Sequence, residues 1–183
     1  MSYTIHTVES APAAAKDTLS AVKQGIGFVP NMMAMMAEAP PLVTAYRTLS
    51  GLFDQTSFSA SERQVILLTA SYENNCAYCV AAHSAIASMQ KVPDDVVQSI
   101  RNNKPISDAK LEALRRFTSV MVNSRGWPSA TATEAFLSAG YSQANILEVI
   151  LGVGFKTLSN YTTHVTDTPL DQAFAPLAWT KAA

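Results

Sequence analysis

An all-α fold follows from three features of the sequence. The chain has 183 residues and only seven glycines, and it is rich in Ala, Leu and Met, which favour helix. No Asn-Gly or Asp-Gly pair separates two alternating apolar runs, so no hairpin is signalled. Apolar residues recur instead at spacings of three and four, as at Leu42, Val43, Tyr46, Leu49 and Phe53.

Punctuation brackets each expected helix. The first spans about Pro12 to Ile26 and stops near Gly25 and Gly27. Pro30 and Asn31 open a short Met-rich turn, Met32 to Ala37. Pro40 and Pro41 suit the first turn of a helix to about Gln55, where the N–H that proline lacks would be unpaired anyway. Ser59 and Glu62 read as a capping box ahead of the run Val65-Ile66-Leu67-Leu68. Asn74 and Asn75 interrupt that helix, and the next runs from near Cys76 to about Met89. Val92-Pro93-Asp94-Asp95 opens another, to about Asn102. Ser107 is expected to cap a helix reaching about Ser124, which Gly126-Trp127-Pro128 breaks. For the short helix that follows, Thr131 to Glu134 offers a second capping box and Ser129 an alternative cap; Gly140 ends it. Ser142 starts a long helix through Ile146, Val149, Ile150, Val153 and Phe155 to about Tyr161. The tail from Thr166 to Ala183, with Pro169 and Pro176, is expected to pack as an arm. No linker divides the chain, so residues 1–183 are read as a single domain.

Charge narrows the function. Lys plus Arg is 13 and Asp plus Glu is 14, a net charge of −1. That argues against binding nucleic acid by neutralising phosphates and supplies no polybasic patch for a membrane surface. Charged residues are 15% of the chain, against about 25% in typical domains. A surface so short of charge points to a homo-oligomer, in which subunit contacts cover apolar area. The segment MSYTIHTVES has neither a basic nor an apolar leader region, and no apolar run approaches the roughly 18 residues of a membrane span. The expectation is a soluble, cytoplasmic protein.

The two cysteines, Cys76 and Cys79, are too few for a disulfide scaffold. On a helix turning about 100° per residue, Cys76, Cys79 and His83 share one face. Cβ atoms at i and i+3 lie about 5–6 Å apart and a disulfide needs about 3.5–4.5 Å, so modest adjustment permits a bridge. Thiolate is the nucleophile, and a neighbouring histidine or a helix N-terminus lowers a thiol's pKa. A thiolate that attacks a peroxide becomes a sulfenic acid, which a second thiol condenses to a disulfide for an external reductant to reopen. Zinc usually takes four ligands, and only His6 and His164 remain as further histidines, so no metal is expected. The cluster Met32, Met33, Met35 and Met36 suits a core, a subunit contact or the lining of an apolar channel.

The segments Ser61-Glu62-Arg63-Gln64 and Cys76-x-Tyr78-Cys79-x-x-x-His83 resemble the AhpD-like alkyl hydroperoxidases of the carboxymuconolactone decarboxylase family. Phe28-Val29-Pro30-Asn31 and Leu158-Ser159-Asn160-Tyr161-Thr162-Thr163-His164 are similar to peroxidase-related members. The resemblance implies an all-α, homo-oligomeric fold and reduction of organic hydroperoxides by a CxxC dithiol. It also implies re-reduction by a lipoyl or thioredoxin-like dithiol protein, with no metal, haem or flavin. By carry-over, Cys79 attacks the peroxide, His83 deprotonates it and Cys76 resolves the sulfenic acid. The helix dipole favours Cys76 as the more acidic thiol instead. Decarboxylating members lack the cysteine pair, so that activity is not expected. Two positions depart from the family. Gln64 stands where a relay glutamate is usual, leaving Glu73, or less readily Glu62, to supply a carboxylate. Tyr78 stands where a histidine often lies between the cysteines. The alternatives are a protein disulfide oxidoreductase or redox sensor, and a non-enzymatic helical oligomer.

Overall fold

A helix that is buried on all sides belongs at the centre of a fold, and residues 60–73 form one. The computed structural model describes residues 3–181; the first two residues of the N-terminal segment and the last two of the expected arm lie outside them. The described residues form nine helices: α1 (Ala13–Ile26), α2 (Asn31–Met36), α3 (Pro40–Phe53), α4 (Ala60–Glu73), α5 (Ala77–Met89), α6 (Asp94–Arg101), α7 (Ala109–Asn123), α8 (Ala130–Ser138) and α9 (Gln143–Thr166). A short 3-10 helix, Gln172–Leu177, follows. There is no strand among them, as the sequence predicts. No described helix is long and apolar enough to cross a membrane.

Every residue of α4 from Gln64 to Tyr72 is buried. Around it pack α5, α6, α7 and α9, while α3 lies against α9 and α1. The α4 N-terminus is the capping box read from sequence: Ser59 Oγ accepts from Glu62 N–H and Glu62 Oε2 accepts from Ser59 N–H. The close approach of α9 to α3 and α4 needs Gly152, because a Cβ there would lie 2.8 Å from Ile66 Cγ2 and from Phe53 Cε2.

Two boundaries differ from expectation, and a third is settled between two alternatives. Asp108 rather than Ser107 caps α7, its Oδ1 accepting from Leu111 N–H, while the Ser107 hydroxyl donates to Asp95. Ser129 caps α8, so the alternative box at Thr131 is not used. Helix α9 runs five residues past Tyr161 to Thr166. No Gly or Pro intervenes there, and the helix stops only where Asp167 turns left-handed at φ 47°. The C-terminal arm packs back as expected. Asp171 accepts from Asn31 N–H and Tyr78 Oη–H, Arg101 donates to the carbonyls of Leu177 and Ala178, and Trp179 Nε1–H donates to Arg101 O.

One buried carboxylate makes the fold sensitive to acid. Burial alone would raise the pKa of Glu112, but hydrogen bonds from Arg115, Ile106 N–H and Arg116 outweigh it and bring it to about 2. Its folded pKa is depressed below the unfolded value of about 4.3. The stabilisation is therefore present above that value and lost as pH falls towards about 2. Acid titration of Glu112→Gln, followed by circular dichroism, should show a flatter stability profile over that window than wild type. Gly152→Ala should lower stability by about 1–3 kcal/mol, the usual cost of overpacking a filled core, read as a lower midpoint in urea.

Candidate active site

The turn from α4 to α5 places the cysteines. Asn75 adopts φ 53°, a left-handed conformation that asparagine tolerates better than most residues. Asn75 N–H then reaches Tyr72 O and Cys76 N–H reaches Ser71 O, the paired bonds of a Schellman helix end. Cys76 thus ends one helix and caps the next, its Sγ accepting from Cys79 N–H at 3.3 Å. Both cysteines are free and 1% exposed.

Their surroundings differ. Cys79 faces a cavity of about 480 Å³, and Cys76 lies behind it. Cys76 Sγ is 3.0 Å from Thr163 Oγ1 on α9. Its hydrogen bond with Cys79 and its burial push the Cys76 thiol well up. Burial also acts to raise Cys79. The Cys76 hydrogen bond, the charge of Lys156 and hydrogen bonds from Asn160 and Ser159 overcome this and hold Cys79 well below the usual thiol range. The helix dipole, which would make Cys76 the more acidic thiol, is outweighed there by the interaction with the Cys79 sulfur and by burial.

His83 also lines the cavity. Its Nδ1 is 3.0 Å from Gln64 Oε1, and Gln64 Nε2–H donates to Gln90 Oε1 at 3.1 Å. The amide so oriented makes Nδ1 the protonated nitrogen and leaves Nε2 as an acceptor for a molecule in the cavity. Burial, reinforced by the charge of Lys156, keeps the His83 pKa well below its ordinary value, so the ring is neutral. Gln64 therefore orients the imidazole without titrating.

Glu73 does not join the group. Its two carboxylate oxygens accept from Ser119 Oγ–H at 2.6 Å and Asn123 Nδ2–H at 3.0 Å, both on α7. It tethers α4 to α7 on the side away from the cavity. Glu62 is held in its capping box. Tyr78 lines the cavity and donates to Asp171 at 2.5 Å. Burial, with the Asp171 bond, pushes its phenol well up, so it remains a neutral donor tying the arm to α5. His164 is exposed and stacks on Tyr161, and His6 pairs with Glu38. No cluster among the described residues could hold a metal ion.

Apolar side chains line much of the rest, among them Phe28, Met32, Met33, Tyr46, Phe155 and Phe174, and Arg47, Ser50 and Asp54 also reach it. Two of the four clustered methionines thus line it, while Met35 and Met36 face a separate groove. Sequence reasoning missed the contribution of α9. Lys156, Ser159, Asn160 and Thr163 are all buried on that helix and recur at spacings of three and four. A polar stripe at core spacing inside a long helix was the available signal.

Residues 38–118 match the carboxymuconolactone decarboxylase family. No curated protein sequence matches the chain. The fold is shared with a peroxidase-related protein from Ralstonia eutropha JMP134 described as an alkylhydroperoxidase AhpD core. Identity there is 20%, coverage 94% of this chain and 93% of that one, and the TM-score 0.83. A peroxidase-related protein from Silicibacter sp. TM1040 is 18% identical over 90% of this chain and 88% of its own, with TM-score 0.78. A cysteine-to-alanine variant of the debrominase Bmp8, in complex with 2,3,4-tribromopyrrole, is 17% identical over 90% and 89%, with TM-score 0.76.

Alkylation of the reduced protein with iodoacetamide, mapped by mass spectrometry, should modify Cys79 and spare Cys76. The rate should persist as pH falls below about 8.5, where an ordinary thiol protonates. Cys76→Ala, which removes the hydrogen bond to the Cys79 sulfur, should move the midpoint of that profile upward.

Proposed function

We propose that this chain, which matches the carboxymuconolactone decarboxylase family over residues 38–118 and has the AhpD-like fold, is a dithiol peroxidase for organic hydroperoxides. The observation that carries the reading is the asymmetry of the pair: the acidic sulfur, Cys79, faces the cavity, and the protonated one, Cys76, sits behind it. That is the division of labour between an attacking and a resolving thiol.

The steps follow from the geometry. The hydroperoxide enters the apolar cavity, and its terminal O–H donates to His83 Nε2. The Cys79 thiolate attacks that terminal oxygen; the S–O bond forms, the O–O bond breaks, and RO⁻ leaves to become ROH. Cys79 is now a sulfenic acid. Cys76 attacks its sulfur, the S–S bond forms, and the hydroxyl departs with the Cys76 proton as water. Two electrons have passed from the dithiol to the peroxide. A dithiol reductant returns them by exchange through Cys79, the sulfur on the cavity side. Burial of both sulfurs favours a slender reductant such as a lipoyl arm over the broad face of a thioredoxin-like protein. It also disfavours general disulfide exchange with protein substrates. A reducing cytoplasm would keep the pair in its dithiol form, and assembly into a homo-oligomer remains part of this reading on the low surface charge.

A second reading uses the same dithiol on a carbon–halogen bond. The fold shared with the debrominase supports it, as does a cavity walled by aromatic rings and methionine. Cys79 would take the halogen and release the ring carbanion to be protonated; Cys76 would then expel halide and close the same disulfide.

The test is thiol loss on adding one equivalent of an organic hydroperoxide to reduced wild type, Cys76→Ser and Cys79→Ser. Wild type should rapidly lose both thiols, Cys76→Ser should stop at a sulfenic acid on Cys79, and Cys79→Ser should be inert. A wild-type rate no faster than free cysteine overturns the peroxidase reading. Rapid thiol loss with a brominated pyrrole and none with hydroperoxide would establish the second. Glu73→Gln should change the peroxide rate less than about threefold, because its carboxylate serves the α4–α7 contact, where net hydrogen-bond contributions are about 1 kcal/mol.

A further inference from the structure

Lys156 is 1% exposed and lines the cavity beside Cys79. It is the only Lys or Arg among the described residues that is buried in the core. Every ion pair among those residues lies elsewhere, and the contact its ammonium does make is with a neutral ring, Phe155, 5.9 Å from Nζ to the centroid. An isolated buried cation is costly, so its presence calls for an anion in the cavity. The lining offers few. Asp54 is an exposed residue at the rim, 3.9 Å from Arg63. Gln64 is neutral, and His83 is held neutral with Nε2 as an acceptor only. The thiolate of Cys79, which feels the Lys156 charge, is the anion present before reaction.

Peroxide cleavage removes that anion. As the S–O bond forms, the negative charge passes from the Cys79 sulfur to the departing oxygen, inside an apolar enclosure where an unpaired alkoxide is strongly disfavoured. Neither His83 nor Tyr78 supplies a positive charge there, and Arg47, the other cation on the lining, is an exposed residue rather than a buried one. We infer that Lys156 is a catalytic residue of the peroxidase reaction: its ammonium neutralises the thiolate in the resting dithiol and then pairs with the leaving alkoxide. The alkoxide departs as ROH with the ammonium's proton, and water entering the cavity replaces that proton. This role rests on the peroxidase reading and goes beyond it, since it assigns the leaving-group chemistry to α9 rather than to the CxxC helix.

Leaving-group dependence separates this role from a merely structural or acidity-setting one. Stopped-flow rates of Cys79 oxidation are compared for wild type and Lys156→Met from about pH 5 to about pH 10, a range that spans thiol ionisation. Two oxidants are used: ethyl hydroperoxide, whose leaving group is an alkoxide, and 4,4′-dithiodipyridine, whose leaving group needs no cation. Lys156→Met should move the pH midpoint upward with both. At high pH, where Cys79 is fully ionised in both proteins, the hydroperoxide plateau should fall about a hundredfold, as when one oxyanion donor is removed. The dithiodipyridine plateau should not fall, because a thiolate becomes more nucleophilic as its pKa rises, with a Brønsted slope of about 0.4–0.5. Equal hydroperoxide plateaus would show that Lys156 only sets the acidity of Cys79 and would overturn the proposal. Loss of both plateaus by the same factor would mean a damaged cavity and would also overturn it. Wild type reacting with ethyl hydroperoxide no faster than free cysteine would overturn the peroxidase reading itself, a result visible before any variant is compared.

Discussion

The left-handed turn at Asn75 is the constraint on which the dithiol depends. Because Asn75 closes α4 with paired backbone bonds, Cys76 is forced to begin α5 at once, with no intervening loop. A cysteine in that position satisfies an open N–H of the new helix with its own sulfur. It is therefore held back at the helix start, while Cys79, three residues on, projects into the cavity. The different environments of two chemically identical side chains follow from that one turn. The rigidity of the turn comes in part from Glu73, whose bonds to Ser119 and Asn123 anchor the last residue of α4 to α7.

Charge in the cavity is arranged around neutral polar groups. Gln64 orients His83 and cannot titrate, so the imidazole keeps one fixed tautomer. The positive charge that acts on the Cys79 sulfur comes from Lys156. Asn160 illustrates how α9 is held for this purpose. Its Oδ1 accepts from Asn74 Nδ2–H at 2.9 Å, close to the α4–α5 turn, while it also hydrogen-bonds Cys79. The same side chain thus ties the long helix to the turn and contributes to the acidity of the sulfur beside it.

Access to the cavity is set by the C-terminal arm. Asp171 joins the first residue of α2 to Tyr78 of α5, and Phe174 packs edge-on against Tyr78 with ring centroids 6.1 Å apart. The arm and the methionines of α2 therefore close one side of the cavity that Cys79 faces. The carboxylate of Asp171 is buried with its donors already in place, so the arm is a fixed wall of the site in this state. An enclosure of this kind strengthens the electrostatic interactions inside it, which is why the Cys76 hydrogen bond and the buried Lys156 together can hold a thiol ionised.

The all-α class, the order of the helices, the capping box at Ser59 and the nearness of Cys76 to Cys79 were legible in the sequence. Each depends on neighbours within a few residues, and helical periodicity and capping are local physics. The boundary misplaced at Ser107 depended on competition between adjacent polar side chains, and the one beyond Tyr161 on a left-handed turn at Asp167, neither of which spacing alone resolves. The site's electrostatics belong to tertiary structure. Only the packing of α9 against α4 and α5 brings Lys156, Ser159, Asn160 and Thr163 to residues about eighty positions earlier, and only the direction of Glu73 towards α7 removes it from the thiols. A sequence names the groups that can carry charge. Which of them share a buried cavity, and hence which sulfur ionises, is decided by contacts between helices distant in the chain.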